Sequence, residues 1–66
     1  MYGEGELPTI MTVRELAVYL RMHEMTIYRM ARQGEIPAYK VGNRWRFNKY
    51  RVEEWLDAHE VRQGVE

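Results

Sequence analysis

Cysteine and serine are both absent from this chain of 66 residues. Without thiols there is no disulfide to brace a small fold and no thiolate to hold a metal. Without either residue the two commonest covalent nucleophiles are missing. Long apolar runs are absent as well. None approaches the roughly 20 residues needed to cross a bilayer, and no secretory signal pattern occurs. A soluble, cytoplasmic protein with no membrane partner is the expectation. A chain this short buries only about 60% of the surface its unfolded form exposes, so it can build one small domain of marginal stability.

Net charge is also lacking, at zero, but the charges are not evenly spread. Residues 21–51 hold Arg21, Arg29, Arg32, Lys40, Arg44, Arg46, Lys49 and Arg51 against Glu24 and Glu35 alone, a net of +6. Residues 1–20 carry −2 and residues 52–66 carry −4. A cationic middle between acidic ends points to an anionic partner for the middle, provided the segregation persists in space.

Three helices and a hairpin can be read along the chain. Residues 1–8, with two glycines, a proline and no periodicity, read as a flexible leader. Residues 9–58 form the domain, and 59–66 read as a frayed tail. Thr12-Val13-Arg14-Glu15 is a capping box, with Met11 and Leu16 at the flanking staple positions. Val13, Leu16, Ala17 and Leu20 then form one apolar stripe, predicting a helix over about 13–21. A tight turn near Met22-His23 leads to a second helix that Gly34 ends and Pro37 keeps from resuming. Ile27, Met30 and Ala31 face inward, while Glu24, Met25, Tyr28, Arg29 and Arg32 fall on the other side. Asn48 caps a third helix, about 49–58, with Val52, Trp55 and Leu56 inward and Glu53, Glu54 and Asp57 outward.

The hairpin has two possible registers. A two-residue loop, Gly42-Asn43, pairs Val41 with Arg44 and Tyr39 with Arg46. A three-residue loop, Gly42-Asn43-Arg44, pairs Val41 with Trp45, Lys40 with Arg46 and Tyr39 with Phe47. The second gives one apolar and one cationic face and is the preferred expectation. Its Lys40–Arg46 pair is repulsive unless an anion lies between them. Trp45, Phe47 and Trp55 read as core.

Thr12-Val13-Arg14-Glu15-Leu16-Ala17, Thr26-Ile27-Tyr28-Arg29, Gly34-Glu35-Ile36-Pro37-Ala38-Tyr39-Lys40-Val41-Gly42, Arg44-Trp45-Arg46-Phe47 and Glu54-Trp55-Leu56 recur in order. Together they resemble the excisionase-family DNA-binding domain, a minimal relative of the MerR-type winged helix-turn-helix. The resemblance spans about residues 10–57. It implies a mainly α fold with a small β-hairpin, three helices plus a two-stranded wing. It implies that the second helix enters the major groove and that the wing touches phosphates or the adjacent minor groove. Carried over by position, Thr26, Tyr28, Arg29 and Arg32 face DNA, and Lys40, Arg44 and Arg46 are wing contacts. The chain departs from the family pattern at Met22 and His23, where a small residue and a capping serine are usual, and at Glu24 and Met25.

Residue chemistry agrees with these roles but leaves alternatives beside them. Arg29 can bind guanine bidentately or hold a phosphate, or be a solvated helix cation. Tyr28 can meet a sugar or phosphate, or pack against the wing. Thr26 can help a helix N-terminus hold a phosphate, or bond its own backbone. Arg44 and Arg46 can bind phosphate or the minor groove, or lie against Trp45. His23 can contact DNA or merely close the turn. His23 and His59 do not form a zinc site. No enzymatic activity and no cofactor are expected. The expected partner is double-stranded DNA, with an integrase or further copies of the chain beside it. The job is that of an excisionase (recombination directionality factor) or a small transcriptional regulator. A protein-interaction adaptor using the Met25 and Tyr28 face is the alternative.

Overall fold

The computed structural model describes residues 8–61. The chain runs β1 (Ile10–Met11), α1 (Val13–Leu20), α2 (Glu24–Arg32), β2 (Tyr39–Val41), β3 (Arg44–Asn48) and α3 (Lys49–Ala58). Apart from Pro8, the expected leader lies outside the described residues, as do 62–66 of the expected tail. No helix among the described residues is long and apolar enough to cross a membrane.

The start of α1 follows from its capping box. The Glu15 N–H donates to Thr12 Oγ1 at 3.1 Å, and the Thr12 N–H donates to Glu15 Oε1 at 2.9 Å. Met11 and Leu16, the staple pair, are both wholly buried. The helix ends one residue earlier than expected, because Arg21 adopts a left-handed conformation, φ 58° and ψ 48°. That reversal lets the Met22 N–H reach Ala17 O at 2.9 Å and the Arg21 N–H reach Val18 O at 3.2 Å. These two bonds satisfy carbonyls that the helix end would otherwise leave open. The same device ends α2, with Gly34 at φ 71° and the Glu35 N–H donating to Met30 O at 2.8 Å. α3 begins where Asn48 Oδ1 accepts from the N–H groups of Tyr50 and Arg51 at 2.9 and 3.2 Å.

The sheet is three-stranded and antiparallel, in the order β1-β3-β2. The third strand, β1, is an addition to the two expected. Met11 stands opposite Phe47 and Ile10 opposite Asn48. The preferred hairpin register is corrected: Tyr39 pairs with Arg46, Lys40 with Trp45 and Val41 with Arg44. Lys40 therefore does not oppose Arg46. Gly42 and Asn43 form a two-residue turn with φ of 57° and 68°. Positive φ at both central positions is the turn whose twist matches that of paired strands. The three-residue register would gather Tyr39, Val41, Trp45 and Phe47 on one apolar face, opposite a cationic one. Nothing buries that face, for all three residues of β2 are exposed.

The fully buried side chains are Met11, Leu16, Ile27, Phe47 and Val52. Each comes from a different element, so β1, α1, α2, β3 and α3 all meet at one point. Val13, Ala17, Ala31 and Ile36 complete the buried cluster. Of the aromatic trio expected inside, only Phe47 is. Trp45 and Trp55 pack on the edge of the cluster, half-buried. Leu56, expected to face inward, is 38% exposed. Trp55 instead braces α3 against the loop after α2, its indole N–H donating to Glu35 O at 2.9 Å.

Two outcomes test this packing. Phe47→Ala should cost about 3–5 kcal/mol. A domain this small rarely holds more than that, so the cooperative thermal transition should vanish. Arg21→Gly should raise the unfolding free energy by about 0.5–1 kcal/mol, because relief of left-handed strain outweighs glycine's extra freedom when unfolded. Urea denaturation reads this as a higher midpoint at unchanged slope.

Candidate nucleic-acid interface

β3 continues past its last pair with β1. The chain leaves the sheet at Thr12, so Arg44, Trp45 and Arg46 have no strand neighbour on that side. In a two-residue hairpin the pair flanking the loop exchanges both main-chain bonds, so the next residue along, Trp45, turns its N–H and C=O away from β2. Its carbonyl accepts from Arg46 Nη1 at 2.7 Å. That bond satisfies the open carbonyl and holds the Arg46 side chain, half-buried, at the strand edge.

The space beside this edge is a groove of about 430 Å³. The first turn of α1 forms one part of its wall through Thr12, Val13 and Arg14. Glu24 and Tyr28 of α2 form another, and the wing from Asn43 to Arg46 forms the rest. Tyr28, Arg44 and Arg46 are thus brought together, although they come from separate elements. Arg14 and Glu24 join them across the α1–α2 junction, with Arg14 Nε 3.9 Å from Glu24 Oε2. The side chains are 83% and 49% exposed, so this pair contributes at most a few tenths of a kcal/mol, roughly, to stability. Its electrostatic effect is to offset the one carboxylate in an otherwise cationic groove.

The other sequence-predicted residues lie elsewhere. Arg29 does not line the groove. Its Nη1 is 3.6 Å from Glu35 Oε1 and donates weakly to Gln33 Oε1 at 3.4 Å, toward the end of α2. Arg32 is exposed on the outer side of α2 and has no ion pair among the described residues. Thr26 is half-buried in the first turn beside a shallow hollow formed with His23, Glu24 and Met25. Its side chain makes no hydrogen bond among the described residues. His23 precedes α2 and supplies no side-chain cap. Lys40 is on the opposite face of the hairpin from Arg44 and Arg46. Its Nζ sits 4.4 Å from the centre of the Trp45 ring. The expected contact of a cation with Trp45 exists, but Lys40 makes it rather than Arg44 or Arg46.

Sequence reasoning places Glu24 on the outward face of the second helix but misses Arg14 as a groove residue. The signal was present in part. Arg14 is the second residue after a capping threonine, on the polar side of the α1 stripe. The regional charge sum hid it by grouping it with Glu4, Glu6 and Glu15.

Two helices joined by a three-residue turn, then a hairpin and a closing helix, define a small winged helix-turn-helix module. The chain belongs to the helix-turn-helix domain family, whose model matches residues 10–60. Two relatives come from Mycobacterium tuberculosis: "Putative DNA-binding protein MT0521" of strain CDC 1551 / Oshkosh and "Putative DNA-binding protein Rv0500A" of strain ATCC 25618 / H37Rv. Each is 34% identical over 55 residues, covering 83% of this chain and 70% of the relative. No solved structure matches the chain significantly.

The position of Lys40 has a measurable consequence. Replacing it with glutamine removes the cation over the indole and should lower stability by about 0.5–1 kcal/mol in urea denaturation. An unchanged midpoint would mean that the ring gains nothing from the ammonium.

Proposed function

We propose that this chain binds double-stranded DNA with sequence preference. α2 lies in the major groove, and the wing lies along the phosphates or the adjacent minor groove. The observation that carries this reading is the shared groove of Tyr28, Arg44 and Arg46, with Arg14 beside them. With a helix in one groove of a duplex and a wing at the next, the intervening phosphate strand passes between the two. In this molecule that space is the one lined by three arginines. Arg29 and Arg32, on the outer side of α2, are free to turn to guanine edges, because the contacts of Arg29 to Glu35 and Gln33 are long and solvent-facing. The names of the two mycobacterial relatives support the same partner.

Within that reading, the MerR-like resemblance supports two roles. One is an excisionase that bends DNA at an attachment site and works beside an integrase. The other is a small transcriptional regulator. Both are binding rather than catalytic roles, and both allow several copies to bind side by side on repeated sites.

Selection of duplexes from a randomised pool, followed by affinity measured against salt, tests the reading directly. Neutralising about 4–6 phosphates gives a log–log slope near −4 to −5. A flat slope would favour instead an adaptor that engages a protein through Met25, which is 81% exposed, and Tyr28. On the selected duplex, Arg29→Ala should weaken binding by about 1–3 kcal/mol and relax preference at one base position. Arg46→Ala should weaken all duplexes alike and reduce the salt slope by about 1. Wild-type behaviour of both variants would show that DNA meets a different surface.

A further inference from the structure

We infer that Met25 is a base-reading residue whose ligand is the C5-methyl group of a thymine. The inference rests on the DNA-binding reading above and deepens it. Met25 is 81% exposed, the most exposed large apolar side chain among the described residues. It is the second residue of α2, in the turn that approaches base edges when such a helix enters a major groove. By the helical period it points away from the buried Ile27 and Ala31 and falls between Arg32 and Arg29 in angle. An unbranched apolar chain thus stands at the tip of the helix, on the face that carries Arg29 one turn further along and Arg32 two turns further along.

That setting selects its ligand. An apolar protein surface covering Met25 would also have to strip water from Arg29 and Arg32, which costs more than one methionine returns. Tyr28, its nearest large neighbour by sequence on the outer side, is turned to the groove beside the wing and does not extend an apolar patch. In the major groove, by contrast, the thymine methyl is the only apolar group that base edges present, and it lies among guanine acceptors and phosphates that suit the two arginines. Methionine's three rotatable bonds let it reach that methyl without a fixed backbone approach.

The test uses the full 66-residue chain and its selected duplex. Each thymine is replaced in turn by deoxyuridine, which removes the methyl and nothing else. Burial of one methyl corresponds to about a fourfold change in affinity. Wild type should lose that factor at one thymine, and Met25→Ala should bind the unmodified duplex about as weakly and show no further loss with deoxyuridine there. A thermal melt of Met25→Ala like that of wild type would confirm that an exposed truncation leaves the fold intact. Equal loss in both proteins, or no loss at any thymine in wild type, would overturn the inference while leaving DNA binding in place. A chain that enriches no duplex would overturn the DNA reading and this inference with it.

Discussion

Phe47 and Met11 face each other across the short β1–β3 ladder, and their burial governs where the remaining elements can go. A chain this small cannot close several cores. Each of five elements therefore sends one side chain to a single point, and each then has its other faces free. Loss of any one of the five would open the site that the other four depend on. The groove is a by-product of the same constraint. β1 is long enough only to cover Phe47 and Asn48, so β3 is left with an open flank where α1 and α2 begin.

The reading from sequence was most accurate where the physics is local. The Thr12–Glu15 box, the glycine stop at Gly34 and the Asn48 cap each depend on a few adjacent residues, and each is found as expected. It failed where a face had to be assigned as buried or open. Alternation of Tyr39, Val41, Trp45 and Phe47 suggested a shared apolar side, yet no element covers the outer hairpin. Gly42-Asn43 carried the better information, since both residues tolerate positive φ and together specify the two-residue turn. β1 was invisible because two residues hold no period. Leu56 is 38% exposed, while its neighbour Trp55 packs on the edge of the core and anchors to Glu35.

The candidate site was legible as a set of residue types but not as a geometry. Sequence spacing showed cations on α2 and on the wing. It could not show that they divide into groups. Arg44 and Arg46 share the groove with Tyr28, Arg29 and Arg32 stand on the outer helix face, and Lys40 lies over the Trp45 indole, on the hairpin face shared with Phe47. That division depends on the hairpin register, since a shift of one residue exchanges the two faces. It also explains why a neutral net charge is compatible with a locally cationic surface, with the acidic residues of α3 borne on a separate element.

The hairpin's first strand, β2, has a dynamic consequence. None of its three side chains is buried, so it can detach from β3 without uncovering Phe47 or Val52. Local opening of such a strand costs far less than global unfolding, because little apolar surface is released. Main-chain amides of the wing would thus exchange with deuterated solvent well ahead of those in α1. The five-sided hub beneath it would keep its amides protected, because opening there releases the side chains of every element at once.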